Sequence, residues 1–279
     1  MLKYGAIIIG TLSALVVLLE KTLPVQEPLR FDELHKSIQK WHQKGKYSNV
    51  FGRNMFYILE GQVTEESEAI VFFHGFPTSS YDYAKALPDL KEVFPNKLLL
   101  FFDHVGFGFS DKPQDDYEYT LHDHAENALH LLMQLNIKSA HIISHDMGDS
   151  ILTEILLRRH LKLLPDYFND FFKSVTFTNG GMHYDSANLR LSQILLNNHY
   201  FGKFFSSLYS RLPKDISTRI TKRQLESIYS RNSDPFDRDE DIEAISALTR
   251  YNGGMTLTHK TVSYLKDRAR FESRWYRYV

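Results

Sequence analysis

The segment Ser144-x-Asp146-x-Gly148 holds the residue types whose spacing most clearly indicates chemistry. It lies between an apolar run typical of a buried strand and a segment whose apolar residues recur at helical spacing. A nucleophile on such a strand-to-helix turn needs small residues two positions away on either side, because strand and helix approach closely there. Serine and glycine meet that need. We therefore expect Asp146 to attack an electrophilic carbon, forming an ester that activated water then hydrolyses.

Two other interpretations of this turn stay open. Asp146 could merely cap the following helix, as aspartate often does. Ser144 could be the nucleophile, but the residues two positions away from it are Ile142 and Asp146, and neither is small. Ser110 in Gly108-x-Ser110-x-Lys112 has the same difficulty, and no apolar helix follows it. The pattern favours the carboxylate over either serine.

A second unusual segment, His74-Gly75-Phe76-Pro77, also follows a buried-strand run. Loops at this position donate one backbone amide to an oxyanion hole, and the amide after the nucleophile supplies the other. We therefore predict the amides of Phe76 and Met147 as oxyanion-hole donors, with a plain turn as the alternative. The Gly106-x-Gly108 loop lacks the third glycine of a dinucleotide motif, since Asp111 stands there, and we interpret it as a structural turn.

The elements that position these segments alternate between strand and helix. Apolar runs predict strands at Phe51 to Glu60, Ala69 to Phe73, Lys97 to Asp103, Ala140 to Ser144 and Lys173 to Asn179. A helix is predicted at Ile151 to Arg159 and a connecting helix around Leu34, Ile38 and Trp41, while the chain after Asn179 is helical, charged and rich in tyrosine. Such alternation predicts a mainly parallel, doubly wound sheet whose ligand site lies at the carboxyl ends of the strands.

Composition limits the classes of function. The chain has 279 residues, 43% of them hydrophobic, which suits one large α/β domain carrying an insertion. Its 33 Lys+Arg and 34 Asp+Glu give a formal net charge of −1, so no broad field favours nucleic acid, which we do not expect as a partner. With no cysteine, the chain has no disulfide, zinc-thiolate site or thiol nucleophile. We expect neither a metal nor a cofactor.

The N-terminus carries a possible membrane signal. Tyr4 to Leu19 is almost entirely apolar, with Lys3 before it and Glu20 behind. Such a helix is about 24 Å long, short of the roughly 30 Å hydrocarbon core, but a snorkelling Lys3 could extend it. No small-residue cleavage site follows, so we favour an uncleaved anchor at residues 1–20, with a cleaved signal peptide or a buried helix as alternatives.

At its unusual segments the chain resembles the α/β-hydrolase superfamily, in particular its epoxide hydrolase and haloalkane dehalogenase branch. The matching stretches are Phe72 to Asp82, Gly106 to Pro113, Ser144 to Asp149 and Asn179 to Gly181. The resemblance implies an α/β-hydrolase fold with helices on both faces of the sheet and a helical cap. The polar composition of residues 21–48 predicts a tether, and the resemblance implies a core at 49–184 and a cap at 185–279. The N-terminus resembles that of an anchored member of this branch, which implies an endoplasmic reticulum membrane location.

The same resemblance assigns the nucleophile to Asp146 and the oxyanion amides to Phe76 and Met147. Dehalogenases place tryptophan after the nucleophile and often asparagine after His-Gly to hold halide, and this chain has neither. Epoxide hydrolases share the phenylalanine after His-Gly, usually carry the tryptophan, and use cap tyrosines to protonate the epoxide oxygen. The candidates here are Tyr200, Tyr229, Tyr251 and Tyr264, with packing roles as the alternative.

In this family the strands after the cap deliver the acid and then the histidine that activates water. The sequence ends at Val279, where the family's cap would end, so no base is assigned. None of the later histidines stands at the family position; these are His104, His145, His183, His199 and His259. Without those strands the sheet would have an uncovered edge.

Two hypotheses follow. The first is a membrane-anchored hydrolase of the epoxide-hydrolase type that acts on a small apolar or lipid-like substrate, represented by an incomplete chain. The alternative is a catalytically inactive α/β-hydrolase scaffold that binds a lipid-like or protein ligand through its apolar pocket.

Overall fold

The computed structural model describes residue 18 and residues 21–63, 67–180, 184, 187–198, 201–226, 229 and 234–275. The predicted anchor, residues 1–20, lies outside the described residues except for Leu18. Within the part of the chain that is described, no helix is both long and apolar enough to cross a bilayer. Membrane attachment through residues 1–20 therefore stays a prediction.

A six-stranded sheet forms the centre of the molecule. Its strands are β1 (Lys46–Val50), β2 (Arg53–Glu60), β3 (Ala69–Phe73), β4 (Leu98–Phe102), β5 (Ala140–His145) and β6 (Phe172–Thr178), in the order β1-β2-β4-β3-β5-β6. Strand β2 runs antiparallel to both of its neighbours, and β4, β3, β5 and β6 are mutually parallel. The prediction of a mainly parallel sheet is confirmed, and β2 to β6 each lie within two residues of a predicted strand.

Strand β1 lies largely within the predicted tether. Its sequence carries no apolar run because only Val50 is buried, as suits an edge strand with one wet face. A turn at Phe51 and Gly52, with φ of 51° and 81°, joins β1 to β2, and positive φ at both turn residues matches the twist of a tight hairpin. The sheet therefore begins at Lys46, ahead of the predicted start of the core at residue 49.

Helices cover both faces of this sheet. They are α1 (Lys36–Gln43), α2 (Leu87–Val93), α3 (Leu121–Gln134), α4 (Met147–His160), α5 (Leu191–Asn197), α6 (Gly202–Arg211), α7 (Lys214–Glu226), α8 (Pro235–Arg250), α9 (Thr258–Thr261) and α10 (Tyr264–Trp275). Alternate residues of β3 face two separate apolar clusters: Val71 and Phe73 pack with α3 and α4, and Ile70 and Phe72 pack with α1. Burial on both faces is why the central strands are continuous apolar runs.

Helix α10 returns to the core from the segment predicted as the cap. Its residues Tyr264, Leu265 and Trp275 are buried in the same apolar cluster as α3 and α4. The Trp275 indole Nε1 donates to the Glu154 Oε2 of α4 at 3.0 Å. The segment 185–279 therefore ends in a helix that packs on the α/β layer, close to the predicted site.

Candidate active site

Asp146 occupies a strained turn between β5 and α4. Its φ of 52° and ψ of −111° are rarely adopted by residues other than glycine. A Cβ atom on Gly148 would lie 2.7 Å from the Phe73 carbonyl oxygen and 2.9 Å from that of His74. Because these backbone atoms cannot move away without disturbing the strand and the turn, position 148 requires a residue as small as glycine.

The structure brings the three predicted site residues together at the Asp146 carboxyl. Its Oδ1 accepts the Phe76 amide at 3.0 Å and the Met147 amide at 2.6 Å. The loop before Phe76 passes so close that a Cβ on Gly75 would lie 2.6 Å from the Asp146 Cβ. Among the described residues, no backbone amide donates to the second oxygen, Oδ2. One carboxylate oxygen is thus fixed by two amides, and the other has no backbone donor.

Tyr264 is the candidate tyrosine that lies at this carboxyl. Burial, the Asp146 charge and a hydrogen bond between the two side chains raise its pKa far above the ordinary tyrosine value. Its ring centroid lies 5.7 Å from that of Phe76. Tyr229 instead packs in a separate apolar cluster, and Tyr251 packs on the Phe109 ring at 5.4 Å. Tyr200 lies outside the described residues.

Two charged residues at the site were not predicted from the sequence. Arg268, in α10, donates from Nη2 to the Asp146 carbonyl oxygen at 2.8 Å. Asp149, in the first turn of α4, is buried, accepts the Ser144 hydroxyl, and has a pKa that burial raises to about 6. An acidic residue three positions after Asp146 is a signal that the sequence offers for Asp149, whereas Arg268 is 122 residues away in sequence from Asp146.

An apolar cavity of about 190 Å³ is lined by Phe76, whose amide donates to the Asp146 carboxyl. Phe76 and Pro77 form one wall, and residues of α5 to α9 form the others. The apolar side chains in its lining include Leu195, Leu196, Phe205 and Ile220. Because the Phe76 amide also holds Asp146 Oδ1, the same residue contributes to the cavity wall and to the carboxyl site. Apolar pockets with a few fixed polar groups are typical of small-molecule sites.

Three buried histidines near the loop of Phe76 are not available as bases. His74 uses both ring nitrogens: Nδ1 donates to the Gly75 carbonyl at 2.9 Å and Nε2 accepts the His104 amide at 3.0 Å. His104 and His124 are fully buried, and neither ring has a hydrogen-bond partner among the described residues. Burial lowers the pKa of all three, that of His124 to about 3. They are neutral interior side chains.

Of the other candidate histidines, the structure describes His145, at the end of β5, and His259. Among the described residues, no histidine is hydrogen-bonded to the Asp146 carboxyl. His259 lies in a surface cleft, where burial and then the neighbouring Lys260 and Lys203 lower its pKa. His183 and His199 fall outside the residues that the structure describes.

The Gly106-x-Gly108 loop is held by a buried aspartate. Asp103 accepts the Ser80 amide at 2.8 Å and the Phe109 amide at 2.7 Å. Gly108 has φ of 48°, and a Cβ atom there would collide with the Asp103 carboxyl. The glycine is therefore explained by the turn itself, without a bound phosphate.

Comparison with known proteins identifies the family to which this fold belongs. The family model described as the alpha/beta hydrolase fold matches residues 68–234, and the chain belongs to this family. It is similar to the mesoderm-specific transcript homolog protein of Bos taurus, with 30% identity over 251 residues, covering 87% of this chain and 69% of the relative. It is also similar to the putative hydrolase LipZ of Mycobacterium tuberculosis, with 27% identity over 240 residues, covering 86% of this chain and 76% of the relative.

Two solved structures have the same fold at low identity. The haloalkane dehalogenase DbeA-M1 loop variant from Bradyrhizobium elkanii has a TM-score of 0.58 at 18% identity, covering 83% of this chain and 73% of that one. The epoxide hydrolase CorEH has a TM-score of 0.51 at 18% identity, covering 79% of this chain and 72% of that one. The α/β-hydrolase fold predicted from the sequence is thereby confirmed.

Proposed function

We propose that this protein is a hydrolase whose Asp146 carboxylate attacks an electrophilic carbon of a small apolar or lipid-like substrate, such as an epoxide. The observation that carries the proposal is the pair of hydrogen bonds from Phe76 and Met147 to a single oxygen, Oδ1. A capping aspartate would accept the amide of the second or third helical residue. Asp146 instead bonds the first residue of α4 and a residue from a distant loop, an arrangement that favours an oxyanion hole over a cap.

The proposed first step is alkylation of Asp146. Its Oδ2 forms a bond to an epoxide carbon, the carbon–oxygen bond of the ring breaks, and the electron pair goes to the epoxide oxygen. That oxygen takes a proton, for which Tyr264 is the proposed donor because its hydroxyl lies at the Asp146 carboxyl. The product is an ester between the substrate and Asp146.

The proposed second step is hydrolysis of that ester. Water adds to the carbonyl carbon, and negative charge develops on Oδ1, where the two amides already point. The substrate alcohol then leaves, and one oxygen of the water stays in the carboxyl group. This step needs a base, and the described residues place no histidine at Asp146. We therefore expect the 279-residue polypeptide to form the ester faster than it hydrolyses it.

The proposed nucleophile is tested by intact-mass measurement after incubation with styrene oxide. We expect one added epoxide per chain, mapped to Asp146, and no adduct in Asp146→Asn. Glu126→Gln is the matched control, because it removes an exposed carboxyl outside the site and should keep the adduct. In oxygen-18 water, any turnover should leave the label in Asp146. An adduct that persists in Asp146→Asn, or none in the unmodified chain, would overturn the proposed nucleophile.

A second candidate function is non-catalytic binding of an apolar ligand. It is favoured by the apolar cavity together with the lack of a base among the described residues. A fluorescent long-chain alcohol serves as the probe. Binding that survives Asp146→Asn and is lost in Ile220→Trp, which fills the cavity, without any covalent adduct in the styrene oxide test, would favour the scaffold over the enzyme.

Attachment to the endoplasmic reticulum membrane through residues 1–20 is part of the same proposal. The anchor rests on the apolar sequence, and the endoplasmic reticulum location rests on the family resemblance. Extraction of cell membranes with alkaline carbonate should leave the full chain in the pellet and release a variant that lacks residues 1–20. Release of both would contradict an integral anchor.

A further inference from the structure

Arg268 is a buried cation directly behind the proposed nucleophile. Its side chain is 2% exposed, one helical turn after Tyr264 on α10. Nη2 donates to the Asp146 carbonyl oxygen at 2.8 Å, and Nε donates to the Ser150 hydroxyl at 2.6 Å. The guanidinium carbon lies 4.9 Å from the centre of the Tyr264 ring. The Arg268 side chain therefore contacts Asp146 and Ser150 at the start of α4 and Tyr264 on its own helix.

The charge of Arg268 has no direct ion pair within the described part of the chain. An unpaired buried cation is costly to the fold, so its contacts must compensate for lost hydration. Those contacts are a carbonyl, a hydroxyl and an aromatic face. Since all three belong to residues at or beside Asp146, the side chain stabilises this site rather than a distant part of the core.

The bond to the Asp146 carbonyl has a geometric consequence. A peptide unit is planar, so the carbonyl of Asp146 and the amide N–H of Met147 move together. Fixing the carbonyl oxygen with a guanidinium therefore fixes the direction of the amide that donates to Oδ1 at 2.6 Å. The strained ψ of −111° at Asp146 is held by the same bond.

We propose that Arg268 is a positioning residue for the Asp146 reaction: it aims the Met147 amide through the shared peptide plane and places the Tyr264 hydroxyl by packing on its ring. The inference rests on the proposed function. Arg268 itself contacts the main-chain carbonyl of Asp146 and not its carboxyl oxygens, and the proposal requires no contact with the substrate. Its part is to keep an oxyanion-hole donor and a proton donor in place.

The test compares three variants by two independent measurements. Arg268→Met removes the charge and all donors, Arg268→Lys keeps the charge but not the planar fork, and Ser150→Ala removes only the second partner. The first measurement is the rate of styrene oxide adduct formation per folded molecule, at saturating and at limiting epoxide. The second is the amide proton shift of Met147 by NMR, which reports its hydrogen bond without needing any reaction.

We expect Arg268→Met to slow adduct formation at saturation about 100-fold, the scale of losing one oxyanion donor, with little change in the half-saturating concentration. Arg268→Lys should lose roughly 10-fold and Ser150→Ala less than about 3-fold, in the same order as the upfield shift of the Met147 amide. If Arg268→Met does not fold, the Arg268→Lys values decide. An unchanged rate and an unchanged amide shift in the folded variant would overturn the proposal.

The two proposals fail in different ways. If the unmodified chain forms no adduct, the nucleophile is overturned, and the amide shifts alone decide whether Arg268 orients Met147. If the unmodified chain reacts and Arg268→Lys reacts equally well with an unmoved Met147 amide, the nucleophile stands and the positioning role is overturned.

Discussion

Helix α4 carries two buried carboxylates whose surroundings are opposite. Asp149, in its first turn, accepts the Ser144 hydroxyl and the Thr178 amide on Oδ1, and its Oδ2 has no partner among the described residues. Burial raises its pKa to about 6. Glu154, further along, is 1% exposed, and burial also acts to raise its pKa. Donors around Glu154 outweigh that effect and lower its pKa to about 2.

The donors to Glu154 come from three helices. They are His122 Nδ1 at 3.0 Å, Arg158 Nε at 3.0 Å, Arg274 Nη2 at 3.1 Å and Trp275 Nε1 at 3.0 Å. The contrast with Asp149 shows that burial alone does not decide whether a carboxyl group is protonated. The hydrogen-bond donors around the group, and their charge, decide it. The satisfied carboxylate joins α10 to α4, and the poorly satisfied one lies next to the strained Asp146 turn, where functional sites commonly depart from structural optimality.

The largest expected effect concerns Glu154, the carboxylate that has four hydrogen-bond donors. Glu154→Gln leaves His122, Arg158 and Arg274 around a neutral group, so we expect the free energy of unfolding in urea to fall by about 3–5 kcal/mol. Glu126→Gln is the matched control, because it removes the exposed partner of Arg158 and should cost under about 1 kcal/mol. Equal costs in the two variants would mean that the buried network does not join α10 to α4.

The pH dependence of Glu154 has a defined sign. Its pKa is lowered in the folded state, so its contribution is fully present above the unfolded value near 4.5 and is lost as the pH falls towards 2. Between pH 4.5 and 2, the free energy of unfolding in urea should therefore fall less for the Glu154→Gln variant than for the unmodified chain.

His124 extends the contrast to a buried side chain that has no hydrogen-bond partner among the described residues. The pKa of His124 is lowered to about 3, so between pH 6.5 and 3 the unfolded chain binds a proton that the folded chain does not. Stability is therefore lost as the pH falls below 6.5, by about 3 kcal/mol at pH 4.5 from this residue alone. His124→Leu should flatten that slope while changing stability little at pH 8. Unfolding curves at the two pH values check it, and an unchanged slope in the variant would show that His124 does not titrate against the fold.

Sequence patterns predicted the parts of the molecule that depend on local order. Strands β3 and β4 were predicted because both faces of each are buried, while β1 was missed because its exposed face breaks the apolar run. The approach of Phe76 and Met147 to Asp146 followed from strand-to-turn geometry, which a short motif specifies. Their chemical roles stay predictions.

Contacts between distant segments could not be predicted in the same way. Six of the twelve residues of helix α10 are charged, so its pattern indicates a surface helix. Its return to the core depends on Trp275 meeting Glu154, 121 residues earlier, and on Arg268 meeting Asp146. No local spacing encodes either pair.

The smallest expected effect concerns Asp149, the carboxylate that has fewer hydrogen-bond donors. The pKa of Asp149 is raised in the folded state, so above pH 6 its charge opposes folding, whereas protonation removes that cost. Asp149→Asn keeps an oxygen that can accept from Ser144 and Thr178 and removes the charge. We therefore expect it to raise the free energy of unfolding by about 2 kcal/mol at pH 8, by about half as much at pH 5 and by much less at pH 4.

The sign of that change decides between two views of α4. A gain at pH 8 in Asp149→Asn, beside a loss in Glu154→Gln, would mean that the helix holds one carboxylate for stability and another at the expense of stability, next to the proposed nucleophile. A loss of similar size in both variants would mean that Asp149 is a second structural anchor, held by donors comparable to those of Glu154, and the contrast between the two ends of the helix would disappear.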